Sequence, residues 1–108
     1  MRLVFLLVLV GCSASSDVSR TLGARCDVRA ECEERCLPGG VVFPGGFCTL
    51  SCLDQGDCPE GAVCSDENSG VCLFACTEAV DCEFLGAGWD CLSKGLLPEG
   101  EAMVCIGG

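Results

Sequence analysis

The sequence predicts a small disulfide-rich fold: short β-hairpins and irregular loops in three concatenated four-cysteine units, with little regular secondary structure. Three observations carry that expectation. The 108-residue chain holds 13 cysteines, a density that marks a disulfide scaffold in a short exported protein. Twelve of them fall into three groups that repeat one spacing. From residue 21 onward there is no Tyr, one Trp, four Phe and one Ile. So little large apolar material cannot build a conventional core, and covalent staples must carry much of the stability.

The clearest copy of the repeat runs from Cys52 to Cys72. Unit one contains Cys26, Cys32, Cys36 and Cys48; unit two Cys52, Cys58, Cys64 and Cys72; unit three Cys76, Cys82, Cys91 and Cys105. In each, five residues separate the first two cysteines, and an acid (Glu31, Asp57, Asp81) stands just before the second. Three residues join consecutive units. The later gaps vary in length, as a repeated frame with length-tolerant loops would.

Secondary structure is legible only coarsely. Val63-Cys64 and Val71-Cys72 flank Ser65-Asp66-Glu67-Asn68-Ser69-Gly70, a turn-rich hexapeptide that predicts a hairpin. Asp90 to Leu92 and Ala102 to Ile106 are expected to pair in the same way. Two stretches suit a helical turn. Arg29 to Cys36 has few breakers and sets Cys32 and Cys36 four apart, on one helical face. Thr77 to Cys82 opens with an N-cap residue and an acid in the first turn.

Units of this size cannot bury enough surface to offset chain entropy, whereas one disulfide closing such a loop contributes about 2–4 kcal/mol. Four cysteines allow three pairings, and spacing alone does not choose among them. A hairpin that sets the third and fourth side by side favours crossed bridges, first with third and second with fourth. In the middle unit these are Cys52–Cys64 and Cys58–Cys72.

Ahead of the repeat, Arg2 precedes an unbroken apolar run of eight residues, Leu3 to Val10. A bilayer-spanning helix needs about 20, so the run reads as the h-region of an export signal. It ends in Leu9-Val10-Gly11-Cys12, which resembles a bacterial lipobox. That resemblance implies cleavage of residues 1–11 and acylation of Cys12, so that two or three chains hold the protein at a membrane. The eleven-residue leader is shorter than usual. Plain secretion, with cleavage at the small residues around Ala14, is the alternative. Either way an even twelve cysteines remain. Residues 12–22 are the lipidated Cys and a flexible tether, and residues 23–108 the cysteine-rich domain. Ser13, rather than Asp, favours the outer membrane by resemblance to enterobacterial sorting.

The middle unit's pattern, Cys52-x4-Asp57-Cys58-Pro59-x-Gly61-x2-Cys64, resembles the cysteine-rich repeats of lipoproteins from myxobacteria and related bacteria. More distantly, it is similar to Dickkopf N-terminal-like cysteine-rich modules. The resemblance spans Cys26 to Cys105 and is sharp only in unit two. It implies a fold and a location, and little about activity.

Composition excludes several chemistries. Without His, Ser-His and Cys-His nucleophile systems are ruled out, and no carboxylate pair is singled out, so an enzyme is not expected. No cofactor motif occurs. With no Cys-x2-Cys and no His, common zinc frames are missing too. Sixteen acids against six basic residues give −10, the wrong field for nucleic acid. Calcium suits the charge of a cluster such as Asp54, Asp57, Asp66 and Glu67, yet no EF-hand-like alternation supports it.

What remains points to a non-enzymatic binding or interaction module of the bacterial cell envelope, with a membrane reached through lipid and a protein as partner. The stretch Leu37-Pro38-Gly39-Gly40-Val41-Val42-Phe43-Pro44-Gly45-Gly46-Phe47 is uncharged, with turn signals around an apolar centre. Val41, Val42 and Phe43 could enter a partner's pocket, as in a secreted protease inhibitor, or form a β-strand packing unit one on its neighbour. Trp89 has the same two readings, sugar-stacking platform or core anchor. For both the structural reading is favoured.

Overall fold

A computed structural model describes residues 18–108. The leader, Cys12 and the start of the tether, on which the expectations of cleavage and acylation fall, lie outside the described residues.

Each unit is a short turn followed by an antiparallel hairpin. In unit one a 3-10 turn at Arg29–Glu31 precedes β1 (Arg35–Leu37) and β2 (Phe47–Thr49). Unit two has Gln55–Asp57, then β3 (Ala62–Ser65) and β4 (Val71–Phe74). In unit three Ala79–Leu85 leads into β5 (Trp89–Gly95) and β6 (Glu101–Gly107). The expected hairpins of units two and three are present and somewhat longer than the residues that signalled them. Unit one also has a hairpin, which the sequence did not announce.

Two expectations need correction. The helical stretch from Arg29 to Cys36 stops at Glu31: Cys32 is already extended, with φ −119° and ψ 160°, and Cys36 lies in β1. Cys32 and Cys36 therefore share no helical face. Residues 41–43 form bends rather than a strand, because a Pro-Gly-Gly on either side turns the chain twice.

The hairpins explain the bridges. In every unit the third and fourth cysteines are direct cross-strand partners: Cys36 with Cys48, Cys64 with Cys72, Cys91 with Cys105. Opposed residues point to one face of the pair. Both sulfurs therefore reach back to the preceding turn, which holds the first two cysteines. The bonds are Cys26–Cys36 and Cys32–Cys48, Cys52–Cys64 and Cys58–Cys72, Cys76–Cys91 and Cys82–Cys105. The crossed pairing expected from a hairpin holds in all three units.

The lead-in to each unit lies along its last strand. Cys48 N–H donates to Ala24 O at 2.8 Å, and Cys72 N–H to Leu50 O at 3.1 Å. In unit three Cys76 N–H donates to Met103 O at 3.1 Å. Space there is tight. Gly46 and Gly70, each two residues before a fourth cysteine, have φ +84° and +107°, and a Cβ at either would collide with the carbonyl of Cys26 or Cys52.

The units share one core. Phe47 of unit one is fully buried, its ring centroid 6.1 Å from that of Phe74 and 5.3 Å from that of Trp89. Leu37, Leu73, Val71, Val104 and Ile106 fill the space around these rings. One aromatic cluster thus draws on all three units, and each contributes apolar surface that it could not bury alone.

Candidate interaction surface

The loop between β1 and β2 gathers most of the residues singled out above. Leu37 and Phe47, at its two ends, are buried. Within it Gly40 N–H donates to Phe43 O at 3.3 Å, and Gly46 N–H to the same oxygen at 2.9 Å. These bonds fold the loop over Phe43, which is 4% exposed and packs 6.4 Å from Trp89, centroid to centroid. Val41 and Val42 are left outside, 74% and 43% exposed.

The tip is braced from unit three. Gly107 N–H donates to Val42 O at 2.7 Å, and the Trp89 indole N–H donates to Pro44 O at 3.2 Å. The loop does pack unit one against a neighbour, but as an irregular clamp, and the neighbour is the third unit. Trp89, 8% exposed, is part of the core.

The structure therefore divides the four residues: Phe43 and Trp89 support, Val41 and Val42 are displayed. No protein family, curated protein or solved structure compared with the chain matches it.

Charge is unevenly placed. Four arginines and four acids balance between residues 18 and 51, whereas from Cys52 onward eleven acids face Lys94 alone. The uncharged tip belongs to the neutral part of the chain. Of the other exposed apolar side chains, Val28, Leu53, Val80 and Phe84 lie on or beside the turns that open the units, while Val18 and Met103 lie elsewhere.

The acids have local duties. Glu31 Oε1 accepts the N–H of Asp27 at 2.6 Å and of Val28 at 3.2 Å. Asp57 Oδ2 accepts those of Leu53 at 2.9 Å and Asp54 at 3.2 Å. Asp81 Oδ2 accepts those of Thr77 at 2.9 Å and Glu78 at 3.1 Å, and the Thr77 hydroxyl at 2.7 Å. The acid before each second cysteine thus closes the five-residue turn by satisfying its free amides. The Asp27 and Val28 amides hold the Glu31 carboxyl below its ordinary range, as Thr77 and Glu78 hold that of Asp81. Identical placement in three units was the visible signal for this role.

The carboxylates of Asp54, Asp57, Asp66 and Glu67 are not gathered at one point. Asp54 Oδ1 accepts the Gly56 N–H at 2.9 Å, and Glu67 pairs with Lys94 at 3.4 Å. Among the described residues, the only ligand-type side chains gathered in threes are cysteines, and all of these are in bridges. Two polar links between units had no sequence signal. Thr49 Oγ1 donates to Cys72 O at 2.6 Å. The Gln55 amide bonds both Cys64 backbone groups and Leu97 O.

Proposed function

We propose that the chain is an exported, lipid-anchored interaction module of a bacterial cell envelope, non-enzymatic, held at the outer membrane through Cys12 and binding a protein through the Val41–Val42 tip. The observation that carries the binding role is the contrast within one loop. Phe43 is locked into the core, while the two preceding valines face solvent from a backbone fixed at both ends. An apolar pair presented on a fixed backbone loses little conformational entropy on association. Export is supported by the six bridges, which need an oxidising compartment, and by the lipobox resemblance. Similarity of the middle unit to bacterial lipoprotein repeats belongs to the same reading.

A secreted protease inhibitor acting through residues 37–47 is the alternative. It is less well supported, because recognition of an extended segment uses free main-chain groups and the Val42 carbonyl is already taken by Gly107.

The test has two arms. Protein made with its own leader in a bacterial host should have a mature mass that starts at Cys12, includes acyl chains and gains about twelve hydrogens on reduction, two per bridge. An unmodified chain would remove the anchor. Photo-reactive side chains are then placed at positions 41 and 53 of the anchored protein. Adducts from 41 alone support the tip; adducts from 53 alone, or slowed turnover of a protease, overturn it.

A further inference from the structure

We propose that each unit can exchange its crossed bridges for an uncrossed pair, first with second and third with fourth, by thiol–disulfide exchange within the folded protein. Each unit is then a two-state element operated by a small thiol.

Three observations combine. The Sγ atoms of the first and second cysteines lie within 4.8 Å of one another in every unit, although they belong to different bridges: Cys26 and Cys32, Cys52 and Cys58, Cys76 and Cys82. The third and fourth cysteines are opposed across each hairpin. Directly opposed residues of an antiparallel pair have Cα atoms about 4.5–5.5 Å apart, inside the span of about 4.4–6.8 Å that a disulfide bridges. The third and fourth cysteines therefore sit within the backbone span of a disulfide. Finally, each unit has one cysteine that is not fully buried, the natural point of entry for a small thiol. Cys36, Cys58 and Cys76 are partly exposed, and their nine bridged companions are buried.

In unit two the steps balance without net oxidation or reduction. A monothiolate attacks Cys58 Sγ, the Cys58–Cys72 bond breaks, and a mixed disulfide forms at Cys58 while Cys72 leaves as thiolate. Cys72 attacks Cys64 Sγ across the hairpin; Cys64–Cys72 forms, Cys52–Cys64 breaks, and Cys52 leaves as thiolate. Cys52 then attacks Cys58 Sγ in the mixed disulfide, forms Cys52–Cys58 and expels the monothiolate. The thiol is regenerated and two bonds have changed partners. In units one and three the same sequence starts at Cys36 and Cys76.

The two isomers hold the chain differently. Crossed bridges staple both hairpin strands to the preceding turn. Uncrossed bridges close the turn on itself and the hairpin on itself, so no disulfide then joins residues 52–58 to β3–β4. Exchange depends on the thiolate fraction of the attacking thiol, so its rate should rise with pH up to that thiol's pKa.

The experiment incubates the full oxidised chain with a catalytic amount of reduced glutathione, quenches with acid, cleaves at the acidic residues and maps the bridges by mass. The expected result is unchanged total mass, with growth of peptides joined through Cys52–Cys58 and Cys64–Cys72 at a rate that rises about tenfold per pH unit below the pKa of glutathione. Three results would each overturn the proposal. The first is that the crossed pairs remain the only ones found while glutathione sits on Cys58. The second is that no glutathione adduct forms on any cysteine and no bridge changes. The third is that bridges between units appear as fast as bridges within them, the mark of exchange through unfolded chain.

Discussion

The indole N–H of Trp89 donates to the carbonyl oxygen of Pro44 at 3.2 Å, joining residues 45 apart in sequence. One bond thereby ties the first strand of unit three to the long loop of unit one. Trp89→Phe keeps a ring in the cluster and leaves that carbonyl without its donor. It should cost about 1–3 kcal/mol in denaturant unfolding. In the native protein the single Trp should emit in the blue, shifting red as the core opens.

Phe43 and its two neighbours should separate cleanly. Phe43→Ala removes a core ring and is expected to cost about 3–5 kcal/mol. Val41→Ser with Val42→Ser changes exposed side chains and should stay within about 0.5 kcal/mol. If partner binding uses the tip, the double variant loses it while melting like the parent. Equal destabilisation by both changes would mean that the valines are structural.

Gly70→Ala should be among the most damaging small changes. It asks an L-residue to hold φ +107° and drives a Cβ into the Cys52 carbonyl. Left-handed backbone alone costs roughly 1–2 kcal/mol, and the collision adds to it. Gly40→Ala has open space around it and serves as the control, expected within about 0.5 kcal/mol of the parent. Oxidative refolding yield and thermal melting would read both.

Acid should loosen the turns. Backbone amides of Asp27 and Val28 hold Glu31 below its ordinary 4.5, and the amide and hydroxyl of Thr77 with the Glu78 amide hold Asp81 below its ordinary 3.8. A carboxyl whose pKa is lower in the folded state stabilises the fold when ionised. Its contribution is complete above the ordinary value and is lost as pH falls through the lowered one. Melting temperature is therefore expected to be level down to about pH 5 and to decline below about pH 4.5. Glu31→Gln and Asp81→Asn should each lower the plateau slightly and flatten the decline; an unchanged decline in the double variant would exclude the turns as its source.

What the sequence revealed depended on how local the cause was. The unit frame and the hairpins around Cys64–Cys72 and Cys91–Cys105 rest on neighbouring residues, and they were legible. So was crossed bridging, once a hairpin was granted. The first hairpin was hidden because Leu37 and Phe47 are separated by nine residues with two Pro-Gly-Gly turns, longer than the usual connection. Gly56 masked the turn of unit two, where the Asp57 carboxylate supplies the order that helix propensity does not. The split of residues 41–43 between surface and core could not be read from composition. It is set by Trp89 and Gly107, which arrive from the other end of the chain.

The clamp of unit one on unit three also makes the three copies depend on one another. β2 packs on β4 and β4 on β6, a progression that could in principle continue indefinitely. The loop of residues 38–46 adds a direct hold of the first copy on the last, through Val42 with Gly107 and Pro44 with Trp89. A single copy cut out by itself would leave Phe47, Val71 or Ile106 in water. The repeat is periodic in sequence, yet its copies are not portable.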